Sequence, residues 1–137
     1  MTPAHQLFFH VAWTTLNRRP MIDAPTSEFL EPFIRRTVIR ERAEVLGLAI
    51  LQTHVHLILR TRARFDIPNL MQLIKGGSSY AASRVSGNQL GLRWARKYSV
   101  TTVSPKSLQR ALQYLQRQDE RHPGEIVTRA TPASPRR

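Results

Sequence analysis

The sequence predicts an α+β domain in which a mostly antiparallel sheet carries helices packed chiefly on one face. Two observations support this fold class. Strand-type and helix-type stretches follow one another in the order β-α-ββ-α-β-α. The chain has 137 residues, about the size of one domain, so a single core is expected. We expect one domain over residues 1–122 and a disordered basic tail over residues 123–137.

The first half of the chain is predicted to hold one helix between strands. Residues 7–15 are aromatic and β-branched, which is typical of a strand. Residues 28–46 carry apolar side chains at near-helical spacing and are followed by Gly47, which is expected to end the helix. Residues 48–60 contain two apolar stretches around Gln52-Thr53, so they predict two strands or one long bent strand.

The second half is predicted to add two helices and a strand. The first helix spans residues 66–85 and contains Gly76-Gly77, which costs roughly 2 kcal/mol relative to two alanines. That cost indicates close approach to another backbone or to a ligand. Residues 98–103 have the composition of a strand, and Ser104 is expected to cap the last helix.

Composition and charge exclude several classes of function. Lys and Arg number 21 against 9 Asp and Glu, a net charge of +12, and 18 of the 21 are Arg. Because Arg binds phosphate through a planar fork of donors, this bias favours a nucleic-acid partner. The absence of Cys excludes disulfides, Cys-ligated metal sites and a thiol nucleophile. Asp66 alone lies between Glu44 and Asp119, which disfavours a two-metal nuclease. The expected compartment is the cytoplasm, associated with the nucleoid.

Two pairs of side chains could carry chemistry. His54 and His56 are spaced i, i+2, so on a strand they leave the same face and could bind a metal ion. Taken alone, the pattern also fits two partly buried, hydrogen-bonded histidines. Tyr114 and Gln118 lie one helical turn apart, where a phenol nucleophile and an amide oxygen ligand would be neighbours. The alternative is an interfacial tyrosine with a wet hydroxyl.

Basic residues form a distributed surface that is expected to contact phosphates. The segment Lys75-Gly-Gly-Ser-Ser79 could bring an ammonium group and hydroxyls to a phosphate, or it could be a helix-packing site that needs small residues. The residues predicted to contact nucleic acid are Arg18, Arg19, Lys75, Ser78, Arg93, Arg96, Lys97 and Arg110.

Five segments in order resemble one known family over residues 8–122. They are residues 9–22, Thr53-His-Val-His-Leu-Ile58, Lys75-Gly-Gly-Ser-Ser79, residues 94–103, and Tyr114-Leu-Gln-Arg-Gln118 followed by His122. Each is a weak signal alone, but their combination is specific. The chain resembles the IS200/IS605-type single-strand DNA transposases, the one-tyrosine members of the HUH endonuclease superfamily.

The resemblance implies an RNA-recognition-like antiparallel sheet and a metal-dependent transposase. His54, His56 and Gln118 would hold one Mg²⁺ or Mn²⁺ ion, and Tyr114 would attack the scissile phosphate to give a 5′-phosphotyrosine and a free 3′-hydroxyl. Strand rejoining would need no ATP. The implied partners are single-stranded DNA hairpins at the ends of a mobile element. A homodimer is also implied, in which the tyrosine helix of one subunit can complete the partner's metal site.

The sequence departs from the family pattern before the first histidine. Gln52 and Thr53 stand where the family usually has Pro and then Asp or Asn, so a carboxylate or amide that could orient a histidine is missing. Leu16 replaces a Lys and Lys97 a Gly. These changes leave an alternative open, a domesticated protein that binds structured single-stranded nucleic acid without cutting it. A ribosomal-type RNA-binding protein ranks last.

Overall fold

One antiparallel sheet organises the protein, and the helices are inserted between its strands. The computed structural model describes residues 6–85, 91–118 and 126–132. The strands are β1 (Gln6–Thr15), β2 (Glu44–Leu51), β3 (His54–Arg62), β4 (Trp94–Val103) and β5 (Ile126–Pro132), and the helices are α1 (Ala24–Arg40), α2 (Ile67–Val85) and α3 (Leu108–Gln116). The strand order is β4-β1-β3-β2-β5, and every neighbouring pair is antiparallel. The predicted α+β class is therefore confirmed.

Two of the three helices share one face of the sheet, in line with the prediction that the helices pack chiefly on one face, and α3 lies on the other. Buried side chains of α1 and α2 pack with Val55, Leu57 and Leu59 on what we call the α1–α2 face. Leu115 of α3 packs with Ile58 and with residues of β2 on the opposite, α3 face. Because β3 is buried on both faces over residues 54–59, its sequence does not alternate between apolar and solvent-exposed positions there, so the pattern does not reveal the second layer.

The first helix begins and ends earlier than predicted. Its N-cap is Asp23, whose carboxylate accepts a hydrogen bond from the Thr26 amide at 2.8 Å. Beyond its last residue Arg40, Arg42 adopts a left-handed conformation with φ of 66° that turns the chain into β2. Residues 44–47 therefore belong to a strand, and the prediction that Gly47 ends the helix is wrong.

The other predicted elements form near their expected positions. Residues 44–62 make two strands around a turn at Gln52-Thr53, which settles the choice left open by the sequence. At the start of α2, the Asp66 carboxylate accepts from the Asn69 amide at 3.0 Å. Before α3, the Ser104 hydroxyl accepts from the Ser107 amide at 3.2 Å. Among the described helices, none combines the length and apolar character needed to span a bilayer.

The C-terminal segment contains a strand that the sequence analysis did not predict. The expected disorder of residues 123–137 is wrong for the seven residues of β5, which pair with β2 in a register that includes Leu48 opposite Thr131 and Leu51 opposite Ile126. Pairing satisfies the backbone groups on the second edge of β2. The folded unit therefore extends past residue 122, and residues 119–125 and 133–137 lie outside the described part of the chain.

Candidate functional site

Three histidines meet on the α3 face of the sheet. His54 and His56 alternate with Val55, which is buried in the opposite core, and their ring centroids are 5.0 Å apart. The neighbouring strand β1 adds His10, whose ring centroid lies 5.1 Å from that of His56. The predicted convergence of His54 and His56 on one face is thus what the strand geometry produces.

Each predicted metal-binding histidine has a hydrogen bond at the same ring nitrogen. The hydroxyl of Thr53 lies 2.9 Å from His54 Nδ1, and His10 Nε2 lies 2.9 Å from His56 Nδ1. Both histidines are nearly buried, with 6% and 8% of their residue surfaces exposed. A ligand role would therefore fall to Nε2 in both rings. Thr53 also compensates for the missing carboxylate or amide, because its hydroxyl makes the orienting contact.

Helix α3 brings the predicted nucleophile to the histidines of its own chain. The Tyr114 ring lies edge-on to His10 and to His56, with centroid distances of 6.1 Å to each. Packing of Leu115 against Ala49 and the rest of this core holds the helix on the sheet. The structure thus completes the tyrosine–histidine arrangement within a single chain.

Gln118, predicted to be the third metal ligand, is fully buried, with 0% of its surface exposed. Its amide Nε2 donates to the Tyr114 carbonyl at 3.3 Å, whereas its Oε1 has no hydrogen-bond partner among the described residues. A buried acceptor left without a partner costs about 1–3 kcal/mol, so this oxygen is available to a ligand that reaches it.

The side chains present fit a divalent ion on chemical grounds. Two imidazoles and one amide oxygen form a donor set that several divalent metals accept. Within the described ranges, no group of three or more His, Cys, Asp or Glu side chains is placed to hold a metal ion. The residues that would hold such an ion are the predicted three, His54, His56 and Gln118.

His10 was missed by the sequence analysis. It is the single polar residue in an apolar stretch of β1, which is a signal, but the i, i+2 rule relates only residues of one strand. Its contact with His56 follows from the register between β1 and β3. Ala12 lies directly opposite His56, so His10, two residues earlier on β1, is a diagonal neighbour of His56 on the same face. Burial lowers the pKa of His10 below its usual value of 6.5, which favours the neutral ring.

Several predicted DNA-contacting residues line a cleft near the other face of the sheet. The cleft has a volume of about 850 Å³ and lies between α2 and the start of β4, with Lys75, Arg93 and Arg96 in its wall. Lys75 donates to the Arg96 carbonyl at 2.9 Å, and burial lowers the pKa of this lysine. A second cleft of about 510 Å³, lined by Arg19, shares Arg93 with the first.

The remaining predicted contacts lie elsewhere, and one is wrong. Ser78 is fully buried, with 0% exposed, and accepts a hydrogen bond from the Trp94 indole at 2.9 Å, so it joins α2 to β4 and cannot touch DNA. Arg18 is exposed in the turn after β1, in a left-handed conformation with φ of 52°. Lys97 and Arg110 are exposed, and Arg110 lies one helical turn before Tyr114.

Comparisons with known proteins agree with this geometry. The model of the family described as "Transposase IS200 like" matches residues 3–118. A crystal structure of a candidate transposase from Deinococcus radiodurans R1 has a TM-score of 0.65 and 22% identity, covering 86% of this chain and 95% of that one. The structure of a REP-associated tyrosine transposase bound to a REP hairpin has a TM-score of 0.67 and 18% identity, covering 89% of this chain and 70% of that one. No curated protein matches the chain.

Proposed function

Because the chain belongs to the IS200-like transposase family, we propose that it cleaves and rejoins single-stranded DNA with Tyr114 as the nucleophile. One observation carries the proposal. The Tyr114 ring lies beside His10 and His56, and Gln118, whose amide donates to the Tyr114 carbonyl, carries a buried oxygen without a partner among the described residues. Those side chains have little reason to converge in a protein that only binds nucleic acid.

The proposed cleavage is a transfer of one phosphoryl group. The Tyr114 hydroxyl loses its proton and attacks the phosphorus, and the bond from phosphorus to the 3′-oxygen breaks. The 3′-oxygen takes up a proton, which gives a free 3′-hydroxyl and a 5′-phosphotyrosine. Attack by a 3′-hydroxyl on that phosphotyrosine reverses the step and joins a new junction. The phosphodiester energy is conserved, so no ATP is needed.

His54, His56 and Gln118 would hold the divalent ion, Mg²⁺ or Mn²⁺. When bound, such an ion stabilises the charge that develops on the phosphate oxygens. The Thr53 hydroxyl keeps the His54 ring in a fixed orientation through its 2.9 Å contact. Docking of α3 through Leu115 keeps the Tyr114 phenol next to these side chains.

We propose hairpin-forming single-stranded DNA as the partner of the basic cleft. The similar fold of a tyrosine transposase bound to a REP hairpin supports this substrate class. Lys75, Arg93 and Arg96 supply positive charge around a cleft of about 850 Å³, and cationic grooves hold nucleic-acid backbones through phosphate contacts. The cleft lies beside α2, so the hairpin and the tyrosine would occupy different faces of the sheet.

The proposed assembly is a homodimer that pairs through β4. This strand forms an edge of the described sheet, and open edges are ready to pair with another chain. Contact between Tyr114 and the histidines of its own chain supports cleavage in cis. Mixing Tyr114→Phe chains with His56→Ala chains tests this arrangement. Cis action predicts no rescue of cleavage, and recovered cleavage would instead assign the tyrosine to the partner subunit.

The first test is a denaturing gel of protein mixed with hairpin-bearing single-stranded DNA and Mg²⁺ or Mn²⁺. We expect a protease-sensitive protein–DNA adduct that is lost in Tyr114→Phe and in chelator, while hairpin binding is retained. Tyr80→Phe is the matched control, because Tyr80 is 67% exposed and lies on α2. An adduct that persists in Tyr114→Phe would overturn the assignment. Tight binding without an adduct, indifferent to chelator and to His54→Ala, would favour the non-catalytic binder.

A further inference from the structure

We propose that His10 is a positioning residue that accepts a hydrogen bond from His56 Nδ1–H and thereby leaves His56 Nε2 without a proton. The contact joins His10 Nε2 and His56 Nδ1 at 2.9 Å. The inference rests on the proposed function, since it matters when His56 binds a metal ion. It extends the site to a strand that contributes none of the three proposed ligands.

The geometry admits two arrangements of protons between the neutral rings. In one, His56 carries its proton on Nδ1 and donates to His10, so the lone pair of His56 Nε2 can bind a metal. In the other, His10 donates from Nε2, and the single proton of His56 moves to its own Nε2. Only the first arrangement gives His56 a ligand nitrogen at that position. The role of His10 is therefore to act as the acceptor.

The position of His10 makes it a rigid acceptor. It lies in β1, which pairs with β3 on one side and β4 on the other, so its backbone is fixed by neighbours at Ile58 and Thr101. Groups that orient a metal ligand work best when they are held on such elements. His56 is nearly buried, so its Nδ1–H would lose a partner that water cannot easily replace.

The two proposed histidine ligands then have equivalent support. Thr53 lies 2.9 Å from His54 Nδ1, as His10 does from His56 Nδ1. In both cases the contacted nitrogen is Nδ1, which leaves Nε2 as the ligand atom. Metal sites with histidine ligands usually rely on such acceptors to fix the tautomer. Here a hydroxyl and an imidazole take the place of carboxylates.

A purely structural role is the competing explanation, because the His10 ring also packs edge-on against Tyr114 at 6.1 Å. His10→Gln and His10→Leu separate the two roles. The two side chains are similar in size, but the Gln oxygen can still accept a hydrogen bond and Leu cannot. Thermal midpoints and metal-free hairpin binding of both variants report whether the fold is intact.

The first measurement is the tautomer of His56 by ¹⁵N NMR of the full chain in chelator. We expect Nδ1 to carry the proton in the wild type and a mixture of tautomers in His10→Leu. A wild-type His56 protonated mainly on Nε2 would overturn the inference. This readout needs neither metal nor cleavage, so it stands even if the protein proves inactive.

The second measurement is Mn²⁺ affinity by calorimetry. We expect His10→Leu to weaken binding by about 10–100-fold, as loss of an orienting partner does elsewhere, and His10→Gln to stay near the wild type. Equal losses in both variants, or no loss in either, would refute the positioning role while leaving the transposase proposal intact. A wild type that binds no Mn²⁺ would refute the proposed metal site, and the NMR result alone would then decide the role of His10.

Discussion

The side chain of Gln118, the proposed third metal ligand, lies in an unfavourable environment. Its Oε1 is buried without a partner among the described residues, and its Nε2 makes a long hydrogen bond of 3.3 Å. We expect Gln118→Leu to raise the free energy of unfolding in chelator by about 1 kcal/mol, because an apolar side chain removes an unpaired buried acceptor. The same variant should lose Mn²⁺ binding.

Denaturant titrations with chelator and with Mn²⁺ measure both effects. Mn²⁺ should stabilise the wild type, since a ligand of the native state shifts the folding equilibrium, and should leave Gln118→Leu unchanged. Gln116→Leu is the matched control because Gln116, the last residue of α3, is exposed and lies two residues before Gln118. A Gln118→Leu protein that is less stable than the wild type in chelator would contradict the account.

Spacing within one element explains which site residues the sequence revealed. Strand alternation predicts the pair His54 and His56. Helical spacing predicts the pair Tyr114 and Gln118, and although α3 ends at Gln116, the Gln118 amide still reaches the Tyr114 carbonyl. His10 was missed because its contact depends on the register between β1 and β3. The burial of Ser78 was missed for the same reason, since its partner Trp94 lies on another element.

The close packing of helix α3 on the sheet requires a residue without a side chain at Gly47. A Cβ atom at Gly47 would lie 2.9 Å from Leu112 Cδ2 and 3.2 Å from Leu115 Cδ2, so the helix packs directly on the β2 backbone. We expect Gly47→Val to destabilise the protein by about 1–3 kcal/mol through overpacking. Adduct formation should fall more than hairpin binding, because α3 carries Tyr114.

Gly76→Ala is the control for Gly47→Val. A Cβ at Gly76 meets nothing within 4 Å, and the residue lies inside α2. Alanine there should stabilise the protein by about 0.5–1 kcal/mol and leave adduct formation unchanged. Denaturant titration and adduct yield, measured on both variants, test the comparison. Equal loss of hairpin binding and adduct in Gly47→Val would show that α3 does not position the tyrosine separately.

Most elements were predictable from the sequence, but the end of α1 and the existence of β5 were not. Apolar spacing over residues 28–46 continued smoothly through the end of α1 into β2, so periodicity alone hid the break at Arg42, where the chain turns with φ of 66°. The strand β5 was hidden because residues 126–132 have too few apolar residues to predict burial. That strand forms because β2 offers an open edge, which is a property of the assembled sheet.

At the scale of the whole molecule, the proposed active site and the basic cleft lie near different faces of the sheet, and three cations line the cleft. We expect the double variant Arg93→Gln, Arg96→Gln to reduce the salt dependence of hairpin binding by about one phosphate contact per residue. Both residues line the cleft beside α2. Mn²⁺ affinity should not change, because the proposed ligands lie on the α3 face.

The matched control removes the same number of positive charges from α1 instead of from the cleft. Arg36→Gln, Arg40→Gln removes two positive charges from exposed positions of α1. Its salt slope should stay at the wild-type value when affinities are measured over a range of salt concentrations. Equal slopes for the two double variants would mean that net charge, and not the cleft, governs binding.

Because the sheet separates the cleft from Tyr114, mutations can change one of the two sites without changing the other. Tyr114 packs in the core of the α3 face, whereas Lys75, Arg93 and Arg96 line the cleft, so a mutation that removes the phenol leaves the basic wall in place. Under the proposed function, a descendant would lose strand cleavage in one step and keep hairpin binding. Selection could then retain such a copy as a repressor of the element from which it came.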